Sequence, residues 1–520
     1  MGPLIPNYIE PYITQHIITH LPQHFNMVNF VKSGAPVLAA LSGIIAPKDL
    51  KIDSPSSIRN VAATVAHDAM SYYKGNTTTD PNSVDIGDVP DPYYWWVAGA
   101  LWGAMLDYYH YTQDPSYNDV VLQALLHPTN LAPTFDYVPK EHAKEEGNDD
   151  LFFWGSAVMS AAERNFPQPN EKAPAWIDIA ANVFNSLISR WDAGNCNGGM
   201  LWQIYPDNPN GMTYKNSISN GGLFQLAARL ARATGNQTYL DWAQKTWDWS
   251  AEVGIIDPTS FHIYDGVDIK TSCKVVNKAS FTYTSGVYIY GAAVMANHTG
   301  KKEWVERTSK LIDGAGWFFQ NGGQAKNVMY EAACEPNDKC NYDMITFKGY
   351  LSRFMWQTSV MVPSLRQKIE DYMFPSVKAA ASVCTGGKTG RECGMKWYTG
   401  SFDNKPGLGP QMCALEAIQG LLIHDAPAPL KGDDIKLVRD TKWKPLDTYK
   451  PDTAKTSKRA VSPPPRTSRR DVSPPPKTSR RGVSSPTKRS DAAGRLLRGG
   501  ETVALVVFGV ATTVAAWVLA

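Results

Sequence analysis

The sequence predicts an all-α domain whose helices pair into an inner and an outer ring, an (α/α)6 barrel, followed by a C-terminal linker. Three observations carry this reading. Apolar residues recur at helical spacing from about Ser54 to Asp425. Segments such as Gly221-Gly222-Leu223-Phe224-Gln225-Leu226-Ala227-Ala228-Arg229-Leu230 put small residues on one face and bulky ones on the other, and close helix packing needs such faces. Strand signals are sparse, with Phe261–Asp265 and Ser280–Tyr283 as short hairpin pieces. An α-solenoid is the competing architecture, but no repeat of 34 to 47 residues is visible.

Residues 1–26 contain no Lys or Arg and several prolines, unlike a secretory leader. Met27 opens a better one, MVNFVK followed by the apolar GAPVLAALSGIIA ending at Ala46. Residues 1–26 therefore read as a gene-model extension and 27–46 as a signal peptide. In the body, 54–425, helices are expected at 56–73, 94–112, 117–127, 149–165, 174–190, 217–234, 237–252, 284–298, 302–320, 346–360, 364–382 and 410–423. Twelve helices in consecutive pairs make six inner and six outer ones.

Residues 433–489 read as a disordered linker. Its core repeats Val461-Ser-Pro-Pro-Pro, Val472-Ser-Pro-Pro-Pro and Val483-Ser-Ser-Pro, and Pro-rich charged sequence stays extended without burying a core. The segment 490–520 has small residues from Ser490 to Gly494, a polar spacer to Thr502, and the uncharged apolar run Val503–Ala520. That order is a GPI-anchor signal, with Ser490 or Asp491 as the modified residue, rather than a tail-anchored span. It predicts export to the outer face of the plasma membrane and the cell wall.

Composition narrows the class. Of 520 residues, 43% are hydrophobic and 11% aromatic, including 16 Trp and 24 Tyr, which excludes a disordered or fibrous protein over most of the length. Net charge is +2, yet Lys458–Arg489 holds ten Lys or Arg against Asp471 alone, leaving −7 for the rest. An acidic body argues against a nucleic-acid-binding fold. Asn76, Asn236 and Asn297 begin glycosylation sequons. Seven cysteines in an oxidising compartment imply disulfides and one leftover thiol; Cys334–Cys340 and Cys384–Cys393 are the local pairs. No CxxC or His cluster indicates a metal site, and no cofactor is expected.

The chemistry concentrates at Gly147-Asn148-Asp149-Asp150-Leu151-Phe152-Phe153-Trp154-Gly155. Two adjacent carboxylates stand at a helix start, where either Asn148 or Asp149 could serve only as N-cap. Glycoside cleavage needs a pair of carboxyls, one ionised and one protonated, and neighbouring acids raise each other's proton affinity. The helix N-terminus opposes that effect. Sugar sites also need aromatic faces and polar side chains for hydroxyls. Loops offer Trp95 and Trp96 in Tyr93-Tyr94-Trp95-Trp96, Trp202 beside Gln203, Tyr214-Lys215-Asn216, and Tyr283 after Thr282.

These residues, with Asn197-Gly198-Gly199-Met200-Leu201-Trp202-Gln203-Ile204, Tyr214 to Gly222, Phe281 to Gly286 and Phe347-Lys348-Gly349, resemble glycoside hydrolase family 76 across most of Ser54–Asp425. The chain is similar in particular to the GPI-anchored mannan endo-1,6-α-mannosidases of fungal cell walls. The resemblance implies an (α/α)6 barrel and retaining cleavage within α-1,6-mannan, with Asp149 as nucleophile and Asp150 as general acid/base. It also implies a transglycosidase alternative, cutting the mannose core of a GPI glycan and joining it to a β-glucan acceptor. Thr284-Ser285 stands where many relatives carry Asn-Gln. From a different class, a non-catalytic mannan-binding wall lectin would use the same groove without needing both acids.

Overall fold

A computed structural model describes residues 46–439 except 169–172, 207 and 209–210. The expected extension, leader, GPI signal and most of the linker lie outside the described residues.

Twelve α-helices occupy the expected places. They are α1 Pro55–Met70, α2 Trp95–Thr112, α3 Asn118–Leu126, α4 Asn148–Glu163, α5 Trp176–Ile188 and α6 Ser217–Thr234. α7 Gln237–Glu252, α8 Thr282–Thr299, α9 Lys302–Ala315, α10 Phe347–Met361, α11 Arg366–Ser382 and α12 Leu408–Gln419 complete the set. The even-numbered helices contact one another in the closed cycle α2–α4–α6–α8–α10–α12–α2. The odd ones pack outside: α5 against α4 and α6, α7 against α6, α9 against α8, and α1 and α11 against α12. This is the double ring of an (α/α)6 barrel.

The division follows from side-chain pattern. α5 and α9 bury one stripe, whereas α2, α6 and α8 are buried almost all round, which suits a helix enclosed between other layers. Small residues allow the close inner contacts: a Cβ on Gly221 would meet Tyr288, on Gly222 Phe152, and on Gly286 the α10 backbone at Leu351. Buried charges tie inner helices together. Arg229 of α6 reaches Glu163 and Ser160 of α4 at 2.7 and 2.8 Å, and Arg353 of α10 binds Glu416 of α12.

The strand expectations need correction. The short strands are β1 Tyr214–Asn216, β2 Gly266–Asp268 and β3 Val276–Asn277, antiparallel in that order, with β4 Cys384–Gly386 and β5 Glu392–Cys393 forming a second pair. Phe261–Asp265 forms no strand, only an isolated bridge at Ile263, and Ser280–Tyr283 runs into the first turn of α8. A two-period pattern that short cannot be told from a loop entering a buried helix.

Cys334 is bonded to Cys340 and Cys384 to Cys393. A third bridge, Cys196–Cys273, spans 77 positions, and Cys413 is the buried leftover thiol. The domain also runs past Asp425. Leu430 N–H donates to the Glu163 carbonyl (2.7 Å), Arg232 donates to the Pro429 and Leu430 carbonyls, and Gln168 N–H reaches the Val438 carbonyl. Residues 433–439 of the expected linker are thus strapped across the C-terminal ends of α4 and α6. No helix among the described residues is long and apolar enough to cross a membrane.

Candidate active site

A pocket of about 550 Å³ opens at the end of the barrel where α2, α4, α6, α8 and α10 begin. It is lined by Tyr94, Trp96, Asp149, Asp150, Phe153, Trp202, Tyr214, Asn216, Asp265, Tyr283, Asp343 and Phe347. Five of the six inner helices deliver residues at or near their starts to one mouth. Because helix N-termini carry partial positive charge, this end of the barrel suits carboxylates.

Asp149 and Asp150 occupy the second and third positions of α4. Asp150 is buried, and the Gly147 N–H donates to its Oδ2 at 2.5 Å; Asp149 is half-buried. Asn148 anchors this turn. Its N–H donates to the Trp202 carbonyl (2.9 Å), its Nδ2 to the Leu201 carbonyl (2.8 Å), and its Oδ1 accepts from Arg190 Nε (2.7 Å). The acids and Trp202 are therefore held in one frame.

β1 supplies two more lining residues by strand alternation. Tyr214 and Asn216 face the pocket, and Tyr214 Oη donates to Asp265 Oδ2 at 2.6 Å, where Asn277 Nδ2 also donates at 3.0 Å. Asn216 additionally caps α6, its Oδ1 accepting from Ser219 N–H. Opposite, the Tyr283 and Phe347 rings stack with centroids 3.7 Å apart, and Trp96 lies 4.5 Å from Phe153. Trp96 Nε1 donates to Asp343 Oδ1 at 2.9 Å. The walls are thus aromatic faces with polar groups at fixed points, the composition a sugar ring needs.

The charges converge on Asp149. Asp265 is raised to about 6 and Asp343 to about 7, in each case chiefly by burial; their hydrogen-bond donors oppose the rise and the Asp149 charge adds to it. Four carboxyl groups line the pocket and no Lys, Arg or His does.

Of the residues singled out in the sequence, the structure brings Asp149, Asp150, Trp96, Trp202, Tyr214, Asn216 and Tyr283 together. Two assignments to sugar binding are corrected. Trp95 is fully buried, donating to Asn130 Oδ1 at 2.9 Å and stacking on His142 and Trp154; neighbours on a helix point about 100° apart, so only Trp96 can face the pocket. Lys215 points away from it by strand alternation. Its Nζ donates to the Asp192, Asn195 and Gly198 carbonyls at 3.2, 2.7 and 2.5 Å and pairs with the Asp192 carboxylate at 3.0 Å.

Sequence reasoning missed Asp265 and Asp343, which lie in loops far from the Asp149-Asp150 pair along the chain. Their signal was positional, since both closely precede material that starts at the barrel mouth: Asp265 adjoins β2, and Asp343 comes three residues before Thr346, the N-cap of α10. Thr284 and Ser285 are buried in α8 and line no part of the pocket. Among the described residues no group of three or more His, Cys, Asp or Glu is arranged to hold a metal ion.

Comparison with known proteins places this geometry. The model of glycosyl hydrolase family 76 matches residues 57–433. The mannan endo-1,6-alpha-mannosidase DCW1 of Eremothecium gossypii is 43% identical over 400 residues, 76% of this chain and 86% of that protein. The Saccharomyces cerevisiae protein of the same name is 41% identical over 387 residues, 74% of this chain and 84% of that one. The crystal structure of Dfg5 from Chaetomium thermophilum in complex with glucosamine superposes with a TM-score of 0.70 at 38% identity, covering 76% of this chain and 97% of that one. The GH76A α-1,6-mannanase of Salegentibacter shares the fold at a TM-score of 0.55 and 19% identity, over 70% of this chain and 99% of that one. With a family model matched over most of its length and the double helical ring closed around the acidic pocket, the chain belongs to glycosyl hydrolase family 76.

Proposed function

We propose that this glycoside hydrolase cleaves α-1,6-mannosidic bonds within mannan chains, with retention, using Asp149 as nucleophile and Asp150 as general acid/base. The observation that carries the reading is the Asp149-Asp150 pair at the floor of an aromatic pocket in a chain more than 40% identical to mannan endo-1,6-α-mannosidases. Asp149 is the more exposed of the two, as attack on an anomeric carbon requires. Asp150 holds one oxygen on the Gly147 N–H, which fixes its direction. A fixed carboxyl beside the nucleophile is what a group that gives and takes the proton of the two steps needs.

In the first step an oxygen of Asp149 bonds to the anomeric carbon as the bond to the leaving sugar breaks, and Asp150 gives its proton to the leaving oxygen. Asp150 then takes a proton from the incoming water or sugar hydroxyl, whose oxygen displaces Asp149. The positive charge that develops on the sugar ring meets four carboxyl groups and no opposing cation.

The same charge pattern favours a GPI-glycan core as a donor, because its amino sugar is cationic; the Chaetomium relative, crystallised with glucosamine, supports this. Transfer to a β-glucan acceptor is the second step in that reading. Secretion, GPI anchoring at Ser490 or Asp491, and residence at the plasma membrane and wall rest on the sequence signals alone. Asp149→Asn and the Asp149→Asn/Asp150→Asn pair, assayed on linear α-1,6-mannan, test the assignment. Turnover should fall by at least a factor of about 1,000, and unchanged turnover in Asp149→Asn refutes it. Product analysis with an added glucan oligosaccharide separates transfer from hydrolysis.

A further inference from the structure

Asp343 is a carboxyl group that the acid pair does not use. It is 1% exposed, lines the pocket, and faces Asp149. Oδ1 accepts the Trp96 indole N–H, while the buried Oδ2 has no hydrogen-bond partner in the protein. Burying such an oxygen unmatched is costly. A structural acceptor for Trp96 would need only an amide or a carbonyl.

The loop carrying Asp343 is held rigidly. The Asp343 and Met344 N–H groups donate to Asn341 Oδ1 at 3.1 and 2.8 Å, Thr346 Oγ1 donates to the Asp343 carbonyl at 2.6 Å, and the Cys334–Cys340 bridge closes the preceding turn. The carboxyl is thus preorganised, with its second oxygen left for something that enters the pocket.

We propose that Asp343 is a further sugar-binding residue of this pocket, taking one hydroxyl of the mannose unit seated against Asp149 through Oδ2 while Oδ1 stays on Trp96. The proposal rests on the mannan-cleaving reading above. The groups facing Asp343 are Asp149 of α4, Tyr283 of α8 and Tyr350 of α10, besides the Trp96 indole of α2. None is cationic, so the carboxyl stays protonated below about 7. In that form it can both give and accept a hydrogen bond, as a sugar hydroxyl does. Its service is specificity: a ring that lacks or inverts that hydroxyl leaves the oxygen buried and unmatched.

The test uses Asp343→Ala and Asp343→Leu in the full chain, with kcat and KM on α-1,6-mannan oligosaccharides and inhibition by mannose and its 2-, 3- and 4-deoxy forms. Asp343→Ala should lower kcat/KM about tenfold or more, mainly through KM. One deoxy sugar should bind the wild type markedly worse than mannose does, yet bind the variant no worse than mannose. A wild-type kcat/KM, or an equal loss against every deoxy sugar, overturns the inference. Should Asp343→Ala fail to fold, Asp343→Leu, which keeps the shape and removes both oxygens, is put through the deoxy series, and a wild-type discrimination pattern is then the refuting result. A wild type that binds no mannose ligand overturns the parent reading and this one with it; normal wild-type binding with unchanged variants overturns this one alone.

Discussion

Replacing Lys215 by Met distinguishes a sugar-binding lysine from a structural one. The side chain is fully buried, and its ammonium ion satisfies three backbone carbonyls in the 192–198 turn as well as the Asp192 carboxylate. Met keeps most of the volume but leaves the Asp192 and Gly198 carbonyls bare, while the Asn195 carbonyl keeps the Gly198 N–H and the Asp192 carboxylate keeps its Gly194 and Asn195 donors. Removing one partner of a buried pair costs about 3–5 kcal/mol. The Asp192 side chain is 21% exposed and recovers some hydration, so the low end, about 3 kcal/mol, applies. For a domain spanning residues 57–433, an unfolding entropy of about 0.8 kcal/mol/K converts this into a drop of about 4 °C in Tm. Differential scanning calorimetry reads the drop, and α-1,6-mannan kinetics on the same samples should show KM within about twofold of wild type. A KM raised tenfold with Tm unchanged would refute the reasoning and return Lys215 to the sugar pocket.

The remaining predictions concern pH, cross-links and glycans. Burial raises Asp265 to about 6, Asp343 to about 7 and Glu331 to about 8, so the folded state binds protons that the unfolded chain has already released. Their contribution is full below the unfolded carboxyl range and is lost as pH rises through those values; Tm should fall between about pH 5 and 8, and a Glu331→Gln variant should flatten the upper part of that melting profile. Loss of Cys196–Cys273, which spans 77 positions, should lower stability by about 4 kcal/mol, against about 2–3 kcal/mol for Cys384–Cys393, separated by 9; paired Cys→Ser variants compared by calorimetry check the order. Asn76, Asn236 and Asn297 are all exposed in the folded domain, but Asn297 alone commits its Nδ2, to the Met361 carbonyl, while its Oδ1 accepts from Arg232. Glycopeptide mapping is expected to find the first two occupied and Asn297 bare.

The residues that escaped the sequence share a cause. Asp265 and Asp343 sit in loops without helical or strand periodicity, about 115 and 195 positions beyond the acid pair, and nothing local marks them as pocket acids. Trp95 and Lys215 were overread because chain adjacency to a pocket residue was taken for shared orientation. A helix turns neighbours about 100° apart and a strand about 180°, which sends Trp95 into the core and Lys215 behind β1.

What the sequence determined by itself is what periodicity and short-range chemistry encode. Twelve helices appear where apolar spacing put them, the Asp149-Asp150 pair opens α4, and the two local cysteine pairs that spacing offered, Cys334–Cys340 and Cys384–Cys393, are formed. Only the tertiary structure decided which carboxyls share a pocket, because ring closure from α2 to α12 brings the starts of helices distant in sequence to one mouth. The Cys196–Cys273 bridge and the strap of residues 426–439 were decided there too, since each joins segments that meet only once the barrel is closed.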